Sequence, residues 1–234
     1  MNSMNRIYAS HIDTDIQESL NLLANVDTSV EQYKAAFVRL GHRLAQRFLD
    51  EHKDAIGDNI TIAVTAEDAD FLAKGFIDEF EKSSGKKAFL ACFWNDHTKE
   101  SLTGRSIAPP INEYLQPGYE DSSELIVIKS IISGSCVVRS NILALHERMK
   151  NMSKVHVAAP VMFSDAESTL KNEFPEELSE KFDFTWFAKD SERKDNGEVI
   201  PGIGGQVYNR LGLNGKPHEL NYMPESVVSR LVAG

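Results

Sequence analysis

The chain is poor in cysteine, poor in positive charge and without a long apolar run, and each shortage closes off a class of function. Cys92 and Cys136 are its two cysteines. Neither stands in a Cys-x-x-Cys pair or a histidine-rich cluster, so neither a disulfide framework nor a zinc site is implied. Both are expected to be small buried residues. Lys and Arg number 25 against 35 Asp and Glu, a formal net charge of −10. Such a surface repels phosphate backbones and anionic lipid, which disfavours nucleic acid and membranes as partners. No apolar run approaches the roughly 20 residues that a membrane helix needs. The opening stretch, MNSMNRIYASHIDTD, lacks the apolar core of a signal peptide. The expected location is the cytoplasm.

What is present is an ordinary globular composition over 234 residues, enough for one large domain or two small ones. Residues 1–13 read as a flexible arm. A short helix is expected over 14–25, and a longer one from Ser29, whose capping partner Gln32 stands three positions on. Its stripe of Tyr33, Phe37, Leu40, Leu44 and Phe48 has helical spacing and ends near Lys53. The pattern then changes. Short apolar runs at 60–65, 87–94, 124–132, 154–163 and 184–188 read as strands. Helical stretches at 67–82, 137–150, 166–182 and 224–232 stand between and after them. Residues 95–123, with Pro109, Pro110 and Pro117, read as an excursion or hairpin outside the main sheet. Strands alternating with helices predict an α/β fold, a mainly parallel sheet with helices on both faces. No linker is evident, so residues 1–234 are read as a single domain.

In open sheets of this kind ligands bind at the carboxyl ends of strands. Three turns qualify. One is Thr65 to Asp70. A second is Ser133-Gly134-Ser135-Cys136, where hydroxyls and the amides of an opening helix could cradle a phosphate; the same turn also occurs where no ligand binds. The third is Ile200-Pro201-Gly202-Ile203-Gly204-Gly205, whose glycines suit close backbone approach to a flat ligand or a plain surface turn.

Taken in order, these pieces resemble uracil phosphoribosyltransferase. The family's Leu-Arg-Asp…Asp-Thr-Ser segment is similar to Leu23-Ala24-Asn25-Val26-Asp27-Thr28-Ser29, and its helix signature to Arg39-Leu40-Gly41-His42-Arg43-Leu44-Ala45. Its phosphate loop aligns with Ile128 to Cys136, and its next strand shares Ala158-Ala159-Pro160. Its uracil loop resembles Asn196-Gly197-Glu198-Val199-Ile200-Pro201-Gly202-Ile203-Gly204-Gly205. The resemblance spans roughly residues 14–213. It implies a type I phosphoribosyltransferase fold with a small C-terminal hood at 189–215. It assigns phosphate binding to Ser133, Gly134, Ser135 and Cys136, and base binding to Ile200, Gly202, Ile203 and Gly204. Gly202 and Gly204 are then expected to bring the backbone close to the base, and a larger residue at Gly204 to block binding without disturbing the fold.

Several family positions are altered. The pyrophosphate-loop arginine falls on Glu67, a second arginine is lost near Trp94, and the aspartate before the phosphate loop falls on Ile128. A one-residue slip puts Lys129 there. The hood aspartate falls on Gly205. Departing pyrophosphate develops negative charge that arginine and magnesium must stabilise. Asp68, Asp70, Asp96 and Asp121 are near enough in sequence to substitute for lost acids. Glu67 and Lys129 are expected to approach each other as a partly screened pair.

Two readings remain open. In the first, the chain binds a pyrimidine or its nucleotide without normal phosphoribosyl transfer, a pseudoenzyme on a pyrimidine-salvage scaffold. In the alternative it is an active glycosyltransferase making UMP from uracil and phosphoribosyl pyrophosphate, with magnesium as its cofactor. An RNA-binding role is opposed by the net charge. Catalytic residues stay unassigned, and no protein-held metal is expected. The expected partners are a small pyrimidine ligand and a second copy of the chain in a dimer.

Overall fold

The computed structural model describes residues 6–10, 12–52, 56–99, 101 and 106–233. Residues 1–5 and 11 of the expected arm, 53 at the expected helix end, and 100 and 102–105 of the expected excursion lie outside the described residues.

Alternation of apolar side chains along the strands dictates a sheet covered on both sides. In β2 (Asn59–Thr65), Ile60, Ile62 and Val64 face one core and Ala63 the other. In β7 (Glu124–Ile128), Ile126 and Ile128 face the first core, Leu125 and Val127 the second. The first core is closed by α1 (Thr14–Ala24), α2 (Val30–His52) and α4 (Lys74–Ser84). The second is closed by α5 (Cys136–His146), α6 (Ala166–Lys171) and α7 (Glu176–Ser179). The α/β class with a mainly parallel sheet and helices on both faces is as the sequence predicts.

Ser29 and Gln32 start α2 by exchanging a capping pair, Ser29 Oγ accepting from Gln32 N and Gln32 Oε1 from Ser29 N. α2 then lies directly on α4. A Cβ on Gly41 would sit 2.2 Å from the Leu72 carbonyl oxygen, and one on Gly75 2.3 Å from that of Val38. This approach buries Phe37, Phe48, Phe76 and Phe80, each worth about 1.5–3 kcal/mol of transfer free energy.

The main sheet runs β1-β10-β9-β7-β2-β3-β6. Its five inner strands are parallel: β10 (Phe182–Asp190), β9 (Lys154–Phe163), β7, β2 and β3 (Lys87–Asn95). Antiparallel strands close both edges. β6 (Pro110–Leu115) folds back on β3, so part of the stretch read as lying outside the sheet belongs to it. β4 (Thr98–Lys99) and β5 (Ser106–Ile107) pair beyond it. β1 (Arg6–Tyr8) pairs with β10. Residues 6–8 are therefore not a loose arm. Arg6 is buried against Asp190, which anchors the strand.

The run at 124–132 is two strands rather than one. β7 stops at Ile128 and β8 (Ile131–Ile132) resumes beside β9. Between them Ser130 N donates to Asp68 Oδ2 instead of a neighbouring strand. The helical stretch after β2 is also divided, into α3 (Ala66–Asp68), a π-helical Ala69–Ala73, and α4. The short α8 (Val207–Arg210) precedes α9 (Glu225–Ala233), which ends the described chain, and Asp70 caps α9 by accepting from Glu225 N and Ser226 N. No helix among the described residues is long and apolar enough to cross a membrane.

Candidate functional site

β2 and β7 are parallel neighbours, and the side on which the chain moves to its next strand switches between them. From β2 the chain crosses to β3 on one side, and from β7 it proceeds to β9 on the other. Carboxyl ends that part in this way leave a crevice, the usual ligand position in such sheets. A cavity of about 680 Å³ opens there, bounded by Thr65, Glu67, Lys129, the Ser133–Cys136 turn and the loop around Ile203.

Lys129 dominates the crevice. Its Nζ lies 2.6 Å from Asp68 Oδ2 and 3.1 Å from Glu67 Oε1. Thr65 Oγ1 and Ser130 N also donate to Asp68. Burial alone would depress the ammonium, but the carboxylates of Asp68 and Glu67 outweigh it and raise its pKa above the ordinary lysine value. Both carboxylates thus favour the charged ammonium. The expected approach of Glu67 and Lys129 occurs, but Asp68 makes it a trio, with Lys129 and Asp68 buried and Glu67 half-buried, rather than a partly screened pair. Two carboxylates against one ammonium leave the trio net negative. Ile128 points into the core, so Lys129 is the residue that faces the site.

Beside the trio, α5 begins. Gly134 has open space where a Cβ would stand. Ser135 Oγ donates to Glu173 Oε1 at 2.7 Å, and Arg139 Nε lies 3.2 Å from Glu173 Oε2. The turn expected to cradle phosphate thus already holds a carboxylate. Cys136 Sγ lies 2.9 Å from His97 Nε2. Burial pushes the Cys136 thiol up, and burial lowers the His97 pKa. Both shifts favour a neutral thiol and imidazole over a thiolate and an imidazolium.

The C-terminal loop forms the opposite wall. It follows the hairpin of β11 (Glu192–Arg193) and β12 (Val199–Ile200). Its polar backbone groups turn into the protein. Gly202 N donates to Asp190 Oδ2, Gly202 O accepts from Arg6 Nη2, and Ile203 O accepts from Tyr33 Oη. Gly204 has φ +73°, and a Cβ there would lie 2.5 Å from the Leu23 carbonyl oxygen. Its glycine serves a contact with α1. Ile203 and Gly205 line the cavity, whereas Ile200, Gly202 and Gly204 do not. Trp94 is outside it as well, with Nε1 donating to the Tyr222 carbonyl.

Of the possible substitute acids none lines the cavity, and only Asp68 touches a residue that does, Lys129. Asp70 caps α9, Asp96 pairs with Lys216, and Asp121 pairs with Lys150. Magnesium needs near-octahedral oxygen ligands. Both carboxylates that could supply them here are held by the Lys129 ammonium. The residues do not fit that ion. Sequence reasoning missed Glu173, His97 and Arg193, the last lining the cavity with its guanidinium 3.9 Å above the Phe163 ring. Nothing local marks Glu173 or His97. Tyr33 carried a signal, because a hydroxyl inside an apolar helical stripe must find a buried acceptor.

No protein-family model and no curated protein matches the chain. Among solved structures it is similar to the adenine phosphoribosyltransferase of Trypanosoma brucei in complex with AMP, pyrophosphate and ribose-5-phosphate, at 9% identity over 86% of this chain and 88% of that one, TM-score 0.47. It is similar also to a hypoxanthine phosphoribosyltransferase from Staphylococcus aureus, at 11% identity over 67% and 76%, TM-score 0.41. With the AQ2163 protein of Aquifex aeolicus it shares 16% identity over 89% of this chain and 98% of that one, TM-score 0.63, and what it has in common with that protein is the fold.

Proposed function

We propose that the cavity binds a nucleoside monophosphate with a pyrimidine base, and that the chain does not transfer phosphoribose at an enzymatic rate. The trio of Lys129, Asp68 and Glu67 carries this reading. It occupies the switch-point crevice where a pyrophosphate group and its magnesium would have to lie. There it meets a polyanion with net negative charge and a cation already neutralised. Losing one group that stabilises developing charge costs about 10²–10³ in rate, and here the charges are reversed as well as lost. A single phosphate can still reach the open face of Gly134 and the amides that start α5. Ile203, Ile131 and Val207 offer apolar surface for a base. The preference for a pyrimidine rests on the likeness of residues 196–205 to the uracil loop.

Titration calorimetry tests this directly. UMP should bind more tightly than phosphoribosyl pyrophosphate with magnesium, and Glu67→Gln should narrow the gap. Tighter binding of phosphoribosyl pyrophosphate by the parent, or formation of UMP from uracil at an ordinary enzymatic rate, would overturn the reading.

A further inference from the structure

At the opposite end of the sheet, where the parallel strands begin, the geometry points to a site for a divalent transition-metal ion formed by His52, His156 and Asp183. Three separate elements bring these residues together. His156 lies near the start of β9, Asp183 is its register partner on β10, and His52 is the last residue of α2. Their donor atoms all lie within 4.8 Å of one another. No sequence pattern marks it, because the three residues are far apart in the chain and no cysteine takes part.

The hydrogen bonds around the cluster leave the metal-binding atoms open. His156 is 2% exposed. Its Nε2 lies 3.2 Å from Glu124 Oε2, and Glu124 Oε1 accepts from Gly57 N. That arrangement fixes the proton on Nε2 and leaves a lone pair on Nδ1. Nδ1 of His156 and Nε2 of His52 are both enclosed, with no hydrogen-bond partner among the described residues. His52 Nε2 does lie 3.2 Å from Asp183 Oδ2, but without hydrogen-bond alignment. Asp183 Oδ1 accepts from Phe184 N, which leaves Oδ2 directed at His52. A histidine braced by a carboxylate on one nitrogen and open on the other is the usual form of an imidazole ligand. Phe48 packs beside both rings, at 4.8 Å from His156 and 5.0 Å from His52, and gives the site an apolar floor.

The donor set selects the ion. Two imidazoles and one carboxylate suit zinc and its first-row neighbours rather than magnesium or calcium. Bonds of about 2.0–2.2 Å in a tetrahedron place donors roughly 3.4 Å apart, close to the spacing of His52 and Asp183. The wider separations, up to 4.8 Å, require the His52 and Asp183 side chains to move in when an ion binds. The Asp183 side chain is 55% exposed, so the ion has an entry path and its fourth position faces water.

The test uses the full chain without an affinity tag, stripped with chelator and titrated with Zn²⁺ by calorimetry. Co²⁺ absorption serves as a second probe. The parent should take one ion per chain. His52→Gln and Asp183→Asn both alter side chains at the rim and are checked for folding by circular dichroism. A loss of affinity of tenfold or more in either variant, with weakened Co²⁺ bands, supports the site. Absence of stoichiometric binding by the parent, or affinity within tenfold of the parent in both variants, overturns it.

Discussion

Arg6 and Asp190 meet across the β1–β10 pair, Nε to Oδ1 and Nη2 to Oδ2, each at 2.7 Å, though 184 positions separate them in the chain. Both are buried, and the same two side chains hold Gly202 by its carbonyl and its amide. Removing one member of a buried pair strands the other charge, at a cost of about 3–5 kcal/mol. Arg6→Ala should lower unfolding stability in urea by that amount and speed amide exchange at Gly202. A loss below 1 kcal/mol would show that the pair does not fasten the loop.

Gly204 and Gly134 should respond in opposite ways to alanine. Gly204→Ala forces a side chain into a left-handed conformation, costing about 1–2 kcal/mol, and drives Cβ against the Leu23 carbonyl. Unfolding should show a loss of at least about 2 kcal/mol. Gly134→Ala meets open space, so stability should stay within about 0.5 kcal/mol while UMP binding weakens. Equal stability losses would contradict the placement of both loops.

Glu173 opposes a phosphate on the Ser133–Cys136 turn. Its carboxylate takes the Ser135 hydroxyl and pairs with Arg139. Glu173→Gln removes a like charge, worth about 1 kcal/mol at 4 Å in water. UMP affinity should rise roughly fivefold in calorimetry, and uridine affinity should not change. An equal rise for uridine would mean that the effect is not electrostatic.

One thiol of the two should react in the native protein. Cys92 is buried and held neutral, its pKa pushed well up by burial, whereas Cys136 lines the cavity. Because burial also raises the Cys136 pKa, its thiolate fraction is small at pH 7. Labelling by a disulfide reagent should be slower than for a free thiol, and it should accelerate as pH rises past the ordinary thiol range. UMP should protect it. Fast labelling at pH 6 would mean a thiolate stabilised by the helix start, contrary to the neutral Cys136–His97 pair.

The sheet was legible from the sequence because its strands are continuous apolar runs, and period and length decide such cases. Ile128 and Lys129 show where that reading stops. An apolar run says strand through Ile132, yet the strand breaks at Ser130, whose amide goes to Asp68, distant in sequence, while the Lys129 amide still donates to Ala158 O. Arg6 looked like part of an arm for the same reason, since its partner is remote. The glycines of residues 202–205 were legible, but the packing of Gly204 against Leu23 was not. A positive φ is visible in composition, whereas whether the freed space admits a ligand or Leu23 depends on how α1 packs.

The Arg6–Asp190 bond also sets an order of assembly. A ribosome makes β1 long before β10 and before Gly202, so during synthesis Arg6 has neither partner. The central parallel strands can pair while β1 still waits. Long-range contacts of this kind form late, because their loops must close first. A chain released before residue 202 would lack the wall built by Ile203 and Gly205, and with it a finished cavity.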